Sequence, residues 1–265
     1  MPHVKRSGVN IYYETYGKGF PIVFLHPFST NGNIWHFQTF NFARTNQCVI
    51  IDERVHGRSD KPQQGYAIPE MAADVLAVLD ELHLDKAVLV GNSIGGMLTM
   101  QINLDAPNRV AGNVIISSGT NLGAGFPPGA MAAFQQDLVG AFSGLMDNAV
   151  GSRTKRERPE VLDLIKGYFL AEQNFPQRVF LTAAGDPNGL FNWNITARLK
   201  DIRKPTLVFA GEDDQATPVA ANKVLADNIP GAQLRVINGV GHFYEIERPD
   251  DFSNELRQFV TQVAA

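Results

Sequence analysis

The sequence predicts an α/β fold, a mostly parallel central sheet flanked by helices with an inserted helical cap, and three observations carry that expectation. Short apolar runs bounded by turn residues alternate with longer amphipathic stretches, the pattern of a largely parallel sheet covered by helices. The chain opens differently, with two extended segments separated by Ser7-Gly8. One long interval, from about Gly119 to Lys204, contains no convincing strand.

Taken in order, Val4 to Lys5 and Asn10 to Tyr16 read as an antiparallel hairpin at the sheet edge, before Ile22-Val23-Phe24-Leu25-His26 enters as a buried strand. Val49 to Ile51, Ala87 to Val90, Val114 to Ile116, Leu207 to Ala210 and Leu234 to Ile237 follow as further strands. Between them Met71, Val75, Leu76, Val78, Leu79 and Leu82 recur at near-helical spacing, and Leu98 to Leu104 and Phe252 to Val263 read similarly. The strand-free interval shows helical patterns rich in Phe, Met and Leu, punctuated by Gly and Pro. A structureless loop of that length is improbable, so it reads as a cap over the strand ends, where open α/β folds place ligands. The expected division is a core of residues 1–118 and 205–265 and a helical cap of residues 119–204.

Composition narrows the function classes. With 265 residues, 44% hydrophobic and 19% charged, the chain can bury a sizeable core and reads as a soluble globular protein. A formal charge of −4 supplies no field that would draw phosphate backbones, so no nucleic-acid partner is expected. The basic residues Arg153, Lys155, Arg156 and Arg158 are interleaved with Glu157 and Glu160, as on a solvated face. No apolar stretch approaches about 18 residues and the N-terminus leads into polar residues, so the expectation is a cytoplasmic protein without a membrane partner. Cys48, the single cysteine, sits in a buried strand pattern and reads as packing; Asn194-Ile195-Thr196 matches a glycosylation acceptor by chance.

The chemistry begins where Ala87 to Val90 runs into Gly91-Asn92-Ser93-Ile94-Gly95-Gly96 and then a helix. This is the strand, sharp turn, helix context of a G-x-S-x-G nucleophile elbow. Holding a serine at positive φ brings neighbouring chain close, and Gly91 and Gly95 leave room that a β-carbon would fill. The helix N-terminus favours negative charge there. A serine hydroxyl is a poor nucleophile at neutral pH and needs a positioned base. Two later strand ends carry candidates: Gly211-Glu212-Asp213-Asp214 offers three carboxylates, and Gly239-Val240-Gly241-His242 a histidine. Serine, acid and histidine thus fall on loops at one edge of the expected sheet, with the Ile94 N–H, next after the serine, as an oxyanion donor.

Over nearly its whole length the chain resembles the α/β-hydrolase superfamily, through this elbow, Leu25-His26-Pro27-Phe28, Asp52-Glu53-Arg54-Val55-His56-Gly57-Arg58-Ser59, and Gly241-His242 through Glu247-Arg248-Pro249. The resemblance implies Ser93 as nucleophile and His242 as base. By the family pattern G-x-x-D-x-x-T-P it implies Asp214, three residues before Thr217, as the acid orienting that base. It implies Phe28 as the second oxyanion donor and His56 as a residue that holds its loop. Two departures stand out: Pro27 where the family has glycine before the donor, and Val55 where it has glycine in D-x-R-G-H-G-x-S.

The expected function is a serine hydrolase cleaving an ester or lactone bond of a small, largely apolar or aromatic substrate through an acyl-enzyme, with no cofactor and no metal. A carbon-carbon bond hydrolase acting on a ring-cleavage product is the alternative. Asn92, which is expected to contact substrate, and the segment Trp193 to Leu199 resemble features of those enzymes, in which a cap arginine, here Arg178, grips a substrate carboxylate. Phe28, Trp193 and Phe243 are the aromatics expected to face substrate. A ligand receptor of the same fold and halide-dependent peroxidation are further rivals. A homodimer is left open.

Overall fold

The computed structural model describes residues 2–121, 136–171 and 192–264. Its N-terminal strands β1 (His3–Arg6) and β2 (Val9–Tyr16) pair antiparallel, and β2 pairs antiparallel with β4 (Asn46–Ile51). From there β3 (Phe20–Leu25), β5 (Ala87–Asn92), β6 (Val110–Ile116), β7 (Thr206–Gly211) and β8 (Gln233–Ile237) run parallel. The eight strands lie in the order β1-β2-β4-β3-β5-β6-β7-β8. The strand order reverses between β3 and β5, the kind of switch point outside which open α/β sheets bind ligands.

Both faces of the parallel strands from β4 to β7 in the sheet order are covered, and the pleat sorts their side chains. Val23, Leu25, Val49, Ile51, Ala87, Leu89, Ile115 and Val208 enter one core with α2 (Ile68–Glu81), α3 (Ile94–Asp105) and α7 (Val219–Asn228). Their neighbours Ile22, Phe24, Cys48, Ile50, Val88, Val90, Val114 and Phe209 enter the other, with α1 (His36–Phe42) and α9 (Pro249–Ala264). Successive residues point to opposite faces, which is why these strands read as continuous apolar runs rather than as alternating ones. Cys48 belongs to this second core, where burial pushes its thiol up to about 12.

The interval between β6 and β7 contains α4 (Leu138–Ala149), α5 (Ser152–Glu157), α6 (Glu160–Ala171) and a short 3-10 turn over Thr196–Asp201. Met146, Ala149, Val161, Ile165 and Phe169 pack into the second core beside Phe243 and Tyr244. The insertion is therefore joined to the loop that follows β8, where His242 sits. A short helix, α8 (Tyr244–Glu247), leads from that loop into α9. No helix among the described residues is long and apolar enough to cross a membrane.

A buried ion-pair network secures the loop after β4. Arg54, 2% exposed, donates from Nε and Nη2 to Asp74 of α2 at 2.6 and 2.8 Å and from Nη1 to the Gly65 carbonyl at 2.6 Å. Arg6 of β1 adds a contact to Asp74 at 3.2 Å, tying the edge hairpin to the same helix.

Candidate active site

Ser93 follows directly on β5, the central strand, and starts α3 at φ 53° and ψ −113°. A non-glycine residue rarely adopts this conformation, and the surroundings enforce it. Its N–H donates to the Ile116 carbonyl at 2.9 Å; its own carbonyl accepts from Gly96 at 3.0 Å, Met97 at 3.2 Å and the Ser118 hydroxyl at 2.7 Å. The turn is so tight that a β-carbon on Gly91 would overlap the backbone of Gly95 and Gly96, and one on Gly95 would overlap the Leu25 carbonyl. The two glycines of the motif thus let the elbow close on itself and on β3.

The loop after β7 brings up Asp214, 3% exposed, and the loop after β8 brings up His242, 5% exposed. His242 Nδ1 and Asp214 Oδ2 are 2.8 Å apart. The carboxylate is oriented from its other side: Oδ1 accepts the N–H groups of Ala216 at 2.9 Å and Thr217 at 3.0 Å, and Oδ2 accepts the Thr217 hydroxyl at 2.7 Å. Burial works to raise the Asp214 carboxyl, but the charge and hydrogen bond of His242, with the Thr217 bonds, hold it below the usual carboxylate range. Burial likewise opposes a charge on His242, yet the facing Asp214 carboxylate, helped by Glu245 and Glu247, leaves the imidazole raised above its ordinary value. An Nδ1–H committed to a carboxylate leaves Nε2 as the basic nitrogen.

Asp213, the alternative acid, turns elsewhere and accepts the Ser152 N–H at 2.7 Å; hydrogen bonds from the Ser152 hydroxyl and then its N–H lower the carboxyl. The histidine loop is pinned as firmly as the acid. His242 N–H donates to the Ala149 carbonyl at 2.6 Å, and Gly241 packs so close to that carbonyl that a β-carbon would overlap it. Glu247 accepts from Gly151 N–H at 2.9 Å, Thr154 Oγ1 at 2.6 Å, Gly241 N–H at 3.0 Å and Phe243 N–H at 3.3 Å, so one carboxyl ties the histidine loop to the start of α5.

Asn92 closes the gap between elbow and histidine loop. Buried at the end of β5, it donates from Nδ2 to the His242 carbonyl at 2.8 Å and to the Glu245 carboxyl at 3.0 and 3.1 Å. Asn92 was expected to touch substrate; its described partners are the histidine loop and Glu245. Neither the Glu245 nor the Glu247 link was visible in the sequence.

Phe28 and Ile94 come off neighbouring strand ends, since Leu25 of β3 pairs with Gly91 of β5. The loop carrying Phe28 is held by the Pro27 carbonyl, which lies 2.9 Å from His26 Nδ1 and 2.7 Å from the donating Thr30 hydroxyl, and accepts the Thr30 N–H at 3.3 Å. Ser29, at φ 61°, donates its N–H to His56 Nε2 at 3.0 Å, and the Phe28 ring meets the His56 ring edge-on at 5.4 Å. His56 therefore holds the Phe28 loop as well as its own. Val55 occupies φ 82°, a conformation strained for a β-branched residue and one that explains glycine at this point of the family pattern. Its side chain is buried against Tyr66 and Phe28.

Phe243 is 1% exposed, edge-on to His242 at 5.1 Å and to Phe169 of α6 at 5.9 Å. Trp193 packs in the core with α3 and donates its indole N–H to Gln101 at 2.8 Å. Arg178 lies outside the described residues.

Among the described residues one cluster, His26, Glu53 and His56, gathers side chains of metal-ligating type within 4.8 Å. It does not fit a metal. His26 Nε2 accepts the Glu53 N–H at 3.1 Å and His56 Nε2 the Ser29 N–H, while both Nδ1 atoms lie against carbonyls, Pro27 at 2.9 Å and Arg54 at 3.2 Å. Burial lowers His26 to about 4 and His56 well below its ordinary value, so both are neutral. Glu53 is different: both carboxyl oxygens are buried without a hydrogen-bond partner, and burial, then the Asp52 charge, pushes it well above the ordinary value of 4.5. Above that value the folded chain holds a proton the unfolded chain has lost, so stability falls as pH rises towards the folded pKa. Glu53→Leu, which removes an unsatisfied buried group, should stabilise the fold by roughly 1–3 kcal/mol. Its melting temperature should exceed that of the parent by more at pH 8 than at pH 5; thermal melts giving the same difference at both would contradict the assignment.

Residues 21–249 match the family described as alpha/beta hydrolase fold. The chain belongs to the alpha/beta hydrolase family. Among the curated relatives of this hydrolase, a putative carbamate hydrolase of Variovorax paradoxus is 30% identical, across 96% of this chain and 97% of that protein. Of solved structures, one described as Est816, an N-acyl homoserine lactone degrading enzyme, is 63% identical with a TM-score of 0.93, covering 98% of this chain and 100% of the other. The enol-lactonase from Burkholderia xenovorans LB400, 21% identical with a TM-score of 0.87 across 98% and 100% of the two chains, shares the fold.

Proposed function

We propose that this hydrolase opens an ester or lactone bond of a small, largely apolar substrate through an acyl-enzyme on Ser93, with N-acyl homoserine lactones as the favoured substrate class. The observation that carries the reading is the buried Asp214–His242 hydrogen bond of 2.8 Å, joined through Asn92 to a serine at φ 53°. The substrate class is supported by the 63% identity to the N-acyl homoserine lactone degrading structure.

In this mechanism His242 Nε2 takes the Ser93 proton as Oγ attacks the lactone carbonyl, and Asp214 stabilises the imidazolium that forms. The N–H groups of Phe28 and Ile94 receive the oxyanion. Collapse breaks the acyl carbon to ring oxygen bond, and His242 returns the proton to that oxygen. The ring-opened acyl chain, carrying its new hydroxyl, stays esterified to Ser93. Water activated by His242 then releases the hydroxy acid. The insertion of α4 to α6 acts as a cap, with Phe28, Phe243 and Phe169 supplying apolar walls. Trp193, a core residue bonded to Gln101, supports α3 rather than touching substrate.

The test is a turnover panel of N-acyl homoserine lactones of increasing acyl length, p-nitrophenyl esters and a vinylogous diketone acid. Lactone opening, read as proton release, should lead the panel. Faster cleavage of the diketone acid would move the assignment to carbon-carbon bond hydrolysis, and binding of a lactone without turnover to a receptor.

A further inference from the structure

The pair formed by Asn92 and Glu245 is not accounted for by the acyl-enzyme reading, on which the following inference rests. Glu245 is 1% exposed and lies three residues beyond His242, on the short helix α8. Its two carboxyl oxygens face the same Asn92 amide nitrogen that holds the His242 carbonyl. Asn92 is in turn the residue before Ser93. A chain of three hydrogen-bonded groups thus runs from the elbow to the histidine loop entirely inside the protein. Gln38 of α1 fixes the same turn from outside, donating to the Glu245 carbonyl at 2.7 Å.

We propose that Glu245 is a second carboxyl of the site, a positioning residue that holds His242 against the nucleophile elbow through Asn92 and whose charge acts on the imidazole. Two features of the pocket support this. The Asn92 Oδ1 atom is buried without a partner, so Asn92 is held by its Nδ2 contacts to the His242 carbonyl and the Glu245 carboxyl alone. Burial pushes Glu245 up to about 8, and its charge raises His242 while that of His242 lowers Glu245. On this proposal the two groups titrate as a pair rather than independently.

Few other charges reach the turn. Within it stands Glu247, which repels Glu245 and is held by its four donors. Arg248 is directed to Glu157 at 3.4 Å. On α9, Asp251 and Glu255 act on Tyr244. On α6, Lys166 pairs with Asp147 at 2.6 Å. From the end of β7 the contribution is Asp214, on the far side of His242.

The experiment compares the parent with Glu245→Gln and Glu245→Ala. Glutamine keeps an acceptor for Asn92 Nδ2 and removes the charge. In the kcat/KM against pH profile with a neutral lactone, Glu245→Gln should keep maximal activity within about threefold and move the acid limb to lower pH by about half a unit or more. Glu245→Ala should lower kcat by about tenfold or more with little change in KM. The His242 titration, followed by NMR of labelled histidine, reads the same coupling without turnover: two inflections in the parent, one at lower pH in Glu245→Gln. Identical His242 titrations in parent and Glu245→Gln overturn the proposal, whether or not the chain turns over any substrate. Absence of turnover in the parent, with the two-step titration intact, refutes the acyl-enzyme reading and leaves the coupling standing.

Discussion

Ser93→Ala is expected to lower kcat for lactone and ester hydrolysis by about 10⁵- to 10⁶-fold, with the fold intact. The size follows from the chemistry: without Oγ there is no acyl-enzyme, and the remaining catalysis over water comes from oxyanion stabilisation and binding alone. The substitution is conservative for the backbone, because the φ of 53° is imposed by the hydrogen bonds of residue 93 to Ile116, Gly96, Met97 and Ser118 rather than by the hydroxyl. Alanine has no more bulk at that conformation than serine. Circular dichroism and the melting temperature should therefore match the parent. KM should change little if the apolar walls dominate ground-state binding. A variant that retained a tenth of parental turnover would exclude Ser93 as nucleophile.

Asp214→Asn is expected to cost about 10³- to 10⁴-fold in kcat, the second largest effect. Asparagine can occupy the same space and accept from Ala216 and Thr217, but its amide nitrogen would donate towards His242 Nδ1. That inverts the tautomer, places the proton on Nε2 and leaves Ser93 without a base. The neighbour supplies the control. Asp213 has its carboxylate on the Ser152 N–H, so Asp213→Asn should retain activity within about threefold. Kinetics on the two variants separate the adjacent acids, and equal losses at both positions would contradict the assignment of the acid to Asp214. A pH dependence comes with the pair. Asp214 has a lowered carboxyl and His242 a raised imidazole, so their attraction is complete between the two pKa values. It is lost as pH falls through the Asp214 value, and also as pH rises through the His242 value.

The sheet was legible because each strand is short, apolar and bounded by turns, and because the edge hairpin alone reads differently. What periodicity missed was extent. Strand β5 continues to Asn92, so the strand itself delivers the residue before Ser93. In α3 almost every residue is buried, between sheet and neighbouring helices, which erases the stripe that marks a surface helix. The elbow, the acid loop and the histidine loop were legible because each ends a strand with glycine in a fixed place. Glu245 was not, because its link to Asn92 spans 153 residues and nothing local marks a carboxyl as buried. Trp193 shows the reverse limit: an aromatic in the insertion suggested a substrate contact, and the structure places it in the core on Gln101, 92 residues away in sequence. The Pro27 departure is accommodated because its carbonyl, not an N–H, organises the Phe28 loop.

Peptide mapping by mass spectrometry after reaction with a fluorophosphonate tests the role of Ser93 most directly. One phosphonyl adduct is expected, on the peptide carrying Ser93, formed in step with the loss of lactone-opening activity and slowed by a competing N-acyl homoserine lactone. Complete inactivation with the adduct on another residue, or full labelling of Ser93 with turnover undiminished, would contradict it.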